Sequence, residues 1–183
     1  MEVGEAIRTL RAVRRFRDEP LAEADLRAIL DAGRRAGSSK NLQRWHFIVI
    51  REAAALTALA DVGPFAGHLA TGAAAIALVT PDPEAADSPH SVMWDLGRAA
   101  QNMTLCAWAR GVGSVPATVY DQDLCRRILG YPDDRHCEYL LNFGYPANAE
   151  ALARPLRKGG RRPIDEVVYY ERWGAIASAP KQS

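Results

Sequence analysis

Between Gly72 and Pro81 the chain carries Ala73, Ala74, Ala75, Ile76, Ala77, Leu78, Val79 and Thr80, a run without a single charge. It is far too short to span a membrane, and being apolar at almost every position it has no face to offer water. Such a run reads as a strand buried on both sides, which requires one layer of structure above it and another below. A sheet open to solvent on one face is therefore excluded, and the rest of the chain must supply two coverings.

Helical patterns are available for both. Residues 2–10 read as a short helix. Pro20 opens a second over residues 22–36, with Leu21, Leu26, Ile29 and Leu30 on one side. Residues 53–61 suit a third, ended by Gly63-Pro64. Residues 91–110 form the longest, with Val92, Leu96, Ala99, Met103 and Cys106–Ala107 recurring before Gly111 and Gly113 close it. Residues 121–129 make a short helix capped by Asp121. Further strands are expected at 45–50, at 114–119 and at 139–143, while Asp133, Asp134, Arg135 and His136 read as an exposed turn. Helices lie among strands without a strict βαβ rhythm, so the fold class is α+β, a sheet sandwiched by helices. No repeat or long linker divides residues 1–183, which are expected to form a single domain ending in a polar, basic arm from about residue 147.

At 183 residues, such a chain buries roughly 70% of the surface it exposes when unfolded. With 48% apolar and 25% charged residues, disorder is excluded. The net charge of +1 gives no overall field toward nucleic acid. Three cysteines and four histidines show no metal-ligand spacing, so no metal and no disulfide framework is expected. The polar start argues against a signal peptide, and a reduced, cytoplasmic setting without membrane contact follows as the expectation.

Three segments carry candidate chemistry. Arg8, Arg11, Arg14, Arg15 and Arg17 crowd near the start, and Arg154, Arg157, Lys158, Arg161 and Arg162 near the end. On a helical turn Arg11 and Arg14 would project from one side and grip a phosphate in bidentate fashion; a solvated, charged helix end reads equally from the spacing. The segment from Gly37 through Ser38, Ser39, Lys40, Asn41, Leu42, Gln43 and Arg44 to Trp45 offers hydroxyls and amides to a polar heterocycle, or is simply a helix stop and turn. Gly111, Gly113, Ser114, Val115 and Pro116 either let a ligand approach the backbone or cap a helix leading into a strand. No Rossmann, P-loop or nucleophile-elbow motif occurs. No side chain stands out as an acid or base, so no catalytic residue is named.

Taken in order, these segments resemble the FMN-dependent nitroreductase family. Residues 11–16 (Arg-Ala-Val-Arg-Arg-Phe) are similar to its R-S-x-R-x-F opening, and residues 38–45 to its S-[SA]-x-N-x-Q-P-W segment. Residues 111–116 resemble G-L-G-S-V-P, residues 143–146 [IL]-G-Y-P, and residues 161–168 the closing R-x-P-L-x-E-V-V. The resemblance spans about residues 5–170. It implies a mixed, mainly antiparallel sheet wrapped by helices, a homodimer with a C-terminal arm, and FMN at the dimer interface. It further implies a ping-pong transfer of hydride from NADH or NADPH through FMN to a nitroaromatic, quinone or other small electron-poor acceptor.

By the same resemblance Arg11, Arg14 and Arg161 would hold the FMN phosphate, with Ala12 among the cofactor-binding positions beside them. Ser38, Ser39 and Asn41 would meet the flavin from the opposite subunit. Pro116, Ala117, Thr118 and Val119 would line the ring, with a backbone N–H near Thr118 toward N5. Gln43 is a weaker candidate, and Lys40 is the cation named for the reduced ring. The chain departs from the pattern at Ala12, where the family has serine and where Arg15 would compensate. It departs again at Gly37 and Arg44, which replace prolines and leave that loop more flexible. Only residues 82–91 separate the apolar strand from the long helix, so a more open pocket is expected. Alternatives are a flavin-fragmenting or dehalogenating relative, and a non-enzymatic module for acidic ligands.

Overall fold

The computed structural model describes residues 1–148, 150 and 160–174. Strand β2, Ala74–Pro81, lies inside a four-stranded sheet with β1, His46–Ile50, on one side and β4, Arg135–Gly144, on the other. Strand β3, Gly113–Thr118, pairs with β4 and closes the order β1-β2-β4-β3. All three ladders are antiparallel, and the parallel pairing among the described residues is the isolated bridge Ala12↔Ser114.

The two-sided burial of β2 is as the apolar run requires. Ala74, Ile76 and Leu78 enter one core with Leu26, Ile29, Leu96 and Met103. Ala75, Ala77 and Val79 enter a second with Leu56, Leu59, Leu69 and Cys125. The first core is roofed by α2, Glu23–Arg34, and α4, Ser91–Ala109. Their close approach depends on Gly33, where a Cβ would stand 2.1 Å from Met103 Cε. The second is covered by α3, Ala53–Leu59, a 3-10 turn at Gly67–Thr71, and α5, Gln122–Leu129. Asp121 caps α5 as its position implies, accepting the Leu124 N–H at 2.8 Å, and Gly130 ends it with φ 70°.

Two expectations are corrected. The first helix, α1, is Val3–Thr9, and beyond it residues 11–17 run extended, so Arg11 and Arg14 do not share a helical turn. The cause is non-local: the Val13 N–H donates to Ser114 O at 2.9 Å, and Phe16 bridges Pro146. Val13 and Phe16 fill the space beside Gly113 and Gly144, where a Cβ would come within 2.7 and 2.8 Å of them. Gly113 thus admits a neighbouring side chain rather than a ligand. Gly111, at φ 75°, is the helix stop. The second correction concerns β4, which begins at Arg135; only Asp133 and Asp134 remain in the turn, because Pro81 and Thr80 of β2 extend far enough to pair with Arg135 and His136.

Of the tryptophans, Trp45 is buried, Trp108 donates to Thr9 Oγ1 at 2.9 Å, and Trp94 and Trp173 are exposed. The described residues from Glu150 on belong to a second compact unit, in which Ile164–Glu166 is a 3-10 turn and Tyr169 packs against Trp173. Arg154, Arg157 and Lys158 lie outside the described residues. Among the described residues no helix is long and apolar enough to cross a membrane, and all three cysteines are free.

Candidate cofactor-binding site

The extended run at 11–17 sorts its side chains by alternation. Val13 points into the protein, leaving exposed Ala12 and Arg14 on the outward side. Arg17 is held by Glu19 at 3.1 Å and lies over the Tyr145 ring. Arg11, Arg14 and Arg15 have no carboxylate partner among the described residues. Unpaired guanidinium groups in one short segment are suited to an anion brought from outside. Arg161 and Arg162 are exposed in the second unit.

The loop after α2 is strained. Lys40, Asn41 and Gln43 have φ of 51, 54 and 45°, a left-handed conformation that non-glycine residues seldom adopt. Local bonds hold it there: Gln43 N–H donates to Ser38 Oγ at 3.0 Å, and Gln43 Nε2 to Asn41 Oδ1 at 3.1 Å. The decisive clamp is distant in sequence. Asp95, buried on α4, accepts the Ser39 N–H at 2.9 Å. Gly37 leaves room for Arg98, whose Nη2 would lie 2.5 Å from a Cβ there. Ser39, Lys40, Asn41 and Leu42 stay exposed, so the loop presents polar groups on a fastened backbone. Asp95 was signalled only as a lone charge on the apolar stripe of Val92, Leu96 and Ala99.

Strand β3 is a sheet edge, and its polar groups can be followed one by one. In an antiparallel strand the N–H and C=O of a residue leave on the same side, and successive residues alternate. Val13 takes Ser114 O on the free side, Val119 N–H goes to Glu138 O on β4, and Tyr120 N–H returns to the free side at Val62 O, 2.8 Å. Pro116 and Thr118 therefore face outward, and proline has no N–H. The Thr118 N–H is left facing outward between an engaged Ser114 and an engaged Tyr120. Pro116 is exposed, whereas the side chains of Ala117 and Val119 are buried in the second core, so their contacts with any ligand are restricted to backbone.

Behind this edge lie two residues that sequence reasoning missed. Asn142 on β4 is fully buried; its Nδ2 donates to His68 O at 2.7 Å and approaches His68 Nδ1 at 3.2 Å. Burial holds the His68 imidazole below its usual pKa; the Pro116 carbonyl beside the ring opposes this, and the Arg14 charge adds to it. His68 thus feels both Arg14 and Pro116, which lie far apart in the sequence. A cavity of about 910 Å³ adjoins the same edge, lined by Val62, Gly63, Pro64, Gly67, Tyr120 and Gln122, with Gly63 against Thr118 O. Residues 82–90 form only turns, and no helix stands between β2 and α4.

Known proteins resemble this chain in sequence and in fold. The Nitroreductase family profile matches residues 7–64 and 63–145. A protein of Archaeoglobus fulgidus named "Putative NADH dehydrogenase/NAD(P)H nitroreductase" is 33% identical over 146 residues, covering 76% of this chain and 83% of its own. An NADH dehydrogenase of Thermus thermophilus is 29% identical over 193 residues, covering 87% and 91%. A Desulfovibrio desulfuricans protein solved in complex with FMN superposes with a TM-score of 0.76 at 28% identity, covering 94% of this chain and 98% of the other.

Proposed function

The chain belongs to the nitroreductase family, and we propose that it is an FMN-dependent oxidoreductase that passes hydride from NADH or NADPH to a nitroaromatic, quinone or similar electron-poor acceptor. The observation that carries this reading is the arginine-rich run at 11–17 held against the free edge of β3, where the Val13 N–H meets Ser114 O, beside an outward Thr118 N–H. Uncompensated cations, a single outward backbone donor and a strained polar loop fit a ligand with a phosphate at one end and a polar heterocycle at the other. FMN has that form, and the D. desulfuricans protein that shares this fold binds it.

When bound, FMN supplies the two-electron hydride exchange that none of these side chains can perform. The chain's part is binding and orientation. Arg11 and Arg14 hold the phosphate, with Arg15 taking the share that Ala12 cannot. The Thr118 N–H orients the ring from the β3 edge, Pro116 forms the ledge beside it, and Ala117 and Val119 contribute backbone. Lys40, exposed on the loop after α2, is the cation proposed to stabilise negative charge on the ring. The cavity at Gly63 and Tyr120 lies beside the same edge and receives donor and acceptor in turn, its size within the usual range for small-molecule sites.

The active form is a homodimer, in which Ser38, Ser39 and Asn41 reach the partner's FMN. Exposed Val3 and Ile7 on α1 and Trp94 on α4 give that dimer an apolar surface. The test is an absorbance spectrum of purified protein, repeated on the supernatant after heat release. Bands at about 375 and 450 nm, one FMN for each chain and bleaching by NADH or NADPH are expected. A colourless protein that takes up no added FMN would remove this reading.

A further inference from the structure

Within the segment Phe143-Gly144-Tyr145-Pro146, the Tyr145 hydroxyl is the group that packing does not account for. Its ring lies half-buried against the first core, where a phenylalanine would fill the same space. The hydroxyl instead reaches α2 and donates to Asp25 Oδ2 at 2.8 Å. It also accepts the Ala22 N–H, at 3.4 Å, where the same helix begins. The other carboxylate oxygen of Asp25 accepts from Arg110 Nε, just past the end of α4, at 2.7 Å. The Asp25 side chain is 15% exposed, so a carboxylate largely out of water is satisfied by these two donors. Tyr145 is thereby fastened at its tip to the two helices that roof the first core.

The Tyr145 backbone faces the arginine run. The Arg17 N–H donates to Tyr145 O at 2.8 Å and the Ala147 N–H to Arg15 O at 3.0 Å, flanking the Phe16–Pro146 bridge. Phe16 turns toward Gly144, where a Cβ would meet its ring at 2.8 Å, and Arg15 and Arg17 leave on the opposite side. Arg17 is then occupied: its Cζ lies 5.2 Å from the centroid of the Tyr145 ring, and it pairs with Glu19 at 3.1 Å. Arg14 and Arg15 stand between this clamp and the contact of Val13 with Ser114. Both are exposed and without a carboxylate partner among the described residues.

We propose that Tyr145, anchored through its hydroxyl on Asp25, is a positioning residue for the cofactor phosphate. It fixes the backbone of residues 15–17 and so the direction in which Arg14 and Arg15 present their guanidinium groups. The inference rests on the FMN reading above and adds a residue to it. Tyr145 acts through two backbone hydrogen bonds and not by contact with the phosphate. A tyrosine that served the core alone would change stability and treat every flavin alike, whereas this one acts on the phosphate end of the ligand.

The experiment compares the affinities of FMN and of riboflavin, which has the same ring and no phosphate, in wild-type protein and in Tyr145→Phe. Wild-type protein is expected to bind FMN the more tightly. Tyr145→Phe keeps a ring beneath Arg17 and loses only the hydroxyl. It is expected to narrow the ratio of the two affinities about three- to tenfold, the scale of one hydrogen bond, with riboflavin binding unchanged. Asp25→Ala breaks the same bond from the other side and should narrow the ratio alike, and the double variant should narrow it no further. An unaltered ratio in Tyr145→Phe, or equal losses for both flavins, would overturn the proposal. Hydrogen exchange of the full chain, with or without flavin, supplies a second reading. The Arg17 and Ala147 amides are expected to exchange faster in Tyr145→Phe than in wild type, and unchanged exchange at both would also overturn the proposal. Failure of wild-type protein to bind FMN would overturn the FMN reading itself, whereas tight FMN binding with a ratio that Tyr145→Phe leaves untouched overturns the positioning role alone.

Discussion

Facing α2 and α4, β4 presents Leu141 and Phe143 to a core that includes Ile29, Leu96 and Met103. Between those two residues, on the opposite face, the same strand presents Asn142, tied to His68 and left with an unmatched oxygen. Both faces are equally buried, but only the first is matched throughout. The difference teaches where a sheet can be disturbed and to what effect. On the first face, packing supplies stability and little else. On the second, polar atoms that stability does not require lie behind the free edge of β3, which carries Pro116 and the outward Thr118 N–H.

The contrast is broken or sharpened by substitution. The largest effect is expected from Ile29→Ala, which empties part of the first core and should lower stability by about 2–5 kcal/mol. Urea unfolding would measure it, with FMN affinity of the folded protein unchanged; a large loss of affinity would mean the faces are not separable. Arg14→Ala should do the opposite. Binding of FMN is expected to weaken by about 1.5–3 kcal/mol, ten- to hundredfold in Kd, with stability hardly altered. Fluorescence titration reads this directly, and an unaltered Kd would place the phosphate elsewhere.

Asp95 stands between the two cases, on the first-face helix but serving the Ser38–Gln43 loop. Asp95→Asn keeps an oxygen for the Ser39 N–H and loses the charge, a change of about 1 kcal/mol. Faster hydrogen exchange confined to residues 38–43 is expected; exchange that spreads over α4 would show that Asp95 supports the helix and not the loop.

The smallest effect concerns pH. Burial and the Arg14 charge keep His68 neutral below the ordinary imidazole value of 6.5, against the smaller opposing pull of the Pro116 carbonyl. The unfolded chain then binds a proton that native His68 refuses, so stability is complete above about pH 6.5 and falls as the pH drops toward the lower native value. Melting curves between pH 8 and pH 5 should show this fall flattened in His68→Gln, and parallel curves would assign the acid sensitivity to other groups.

Much of the first face was legible in the sequence. The run at 73–80 gave β2 because burial on two sides removes periodicity, and α2 and α4 announced themselves by spacing. The cap at Asp121 was equally local. What escaped depends on partners far along the chain. Residues 11–17 are extended because Ser114 and Pro146 receive them, which no window around Arg11 reveals. Strand β4 begins at polar Arg135 because β2 reaches that far. His68 and Asn142 acquire meaning only through each other, 74 positions apart. Their sole trace was Asn142 itself, an amide among Leu140, Leu141 and Phe143. The three arginine, serine and proline segments of the site were visible as motifs, whereas the edge geometry that holds the arginine run against β3 beside the Thr118 N–H was not.

The most direct measurement is a titration of isotope-labelled protein with FMN, followed through backbone amide resonances. The expected result is that the Thr118 amide moves most, together with residues around Arg14 and His68, while Ile29, Leu96 and Met103 on the first face stay still. Saturable FMN binding that leaves the Thr118 amide unmoved would contradict the assignment of the β3 edge as the cofactor site.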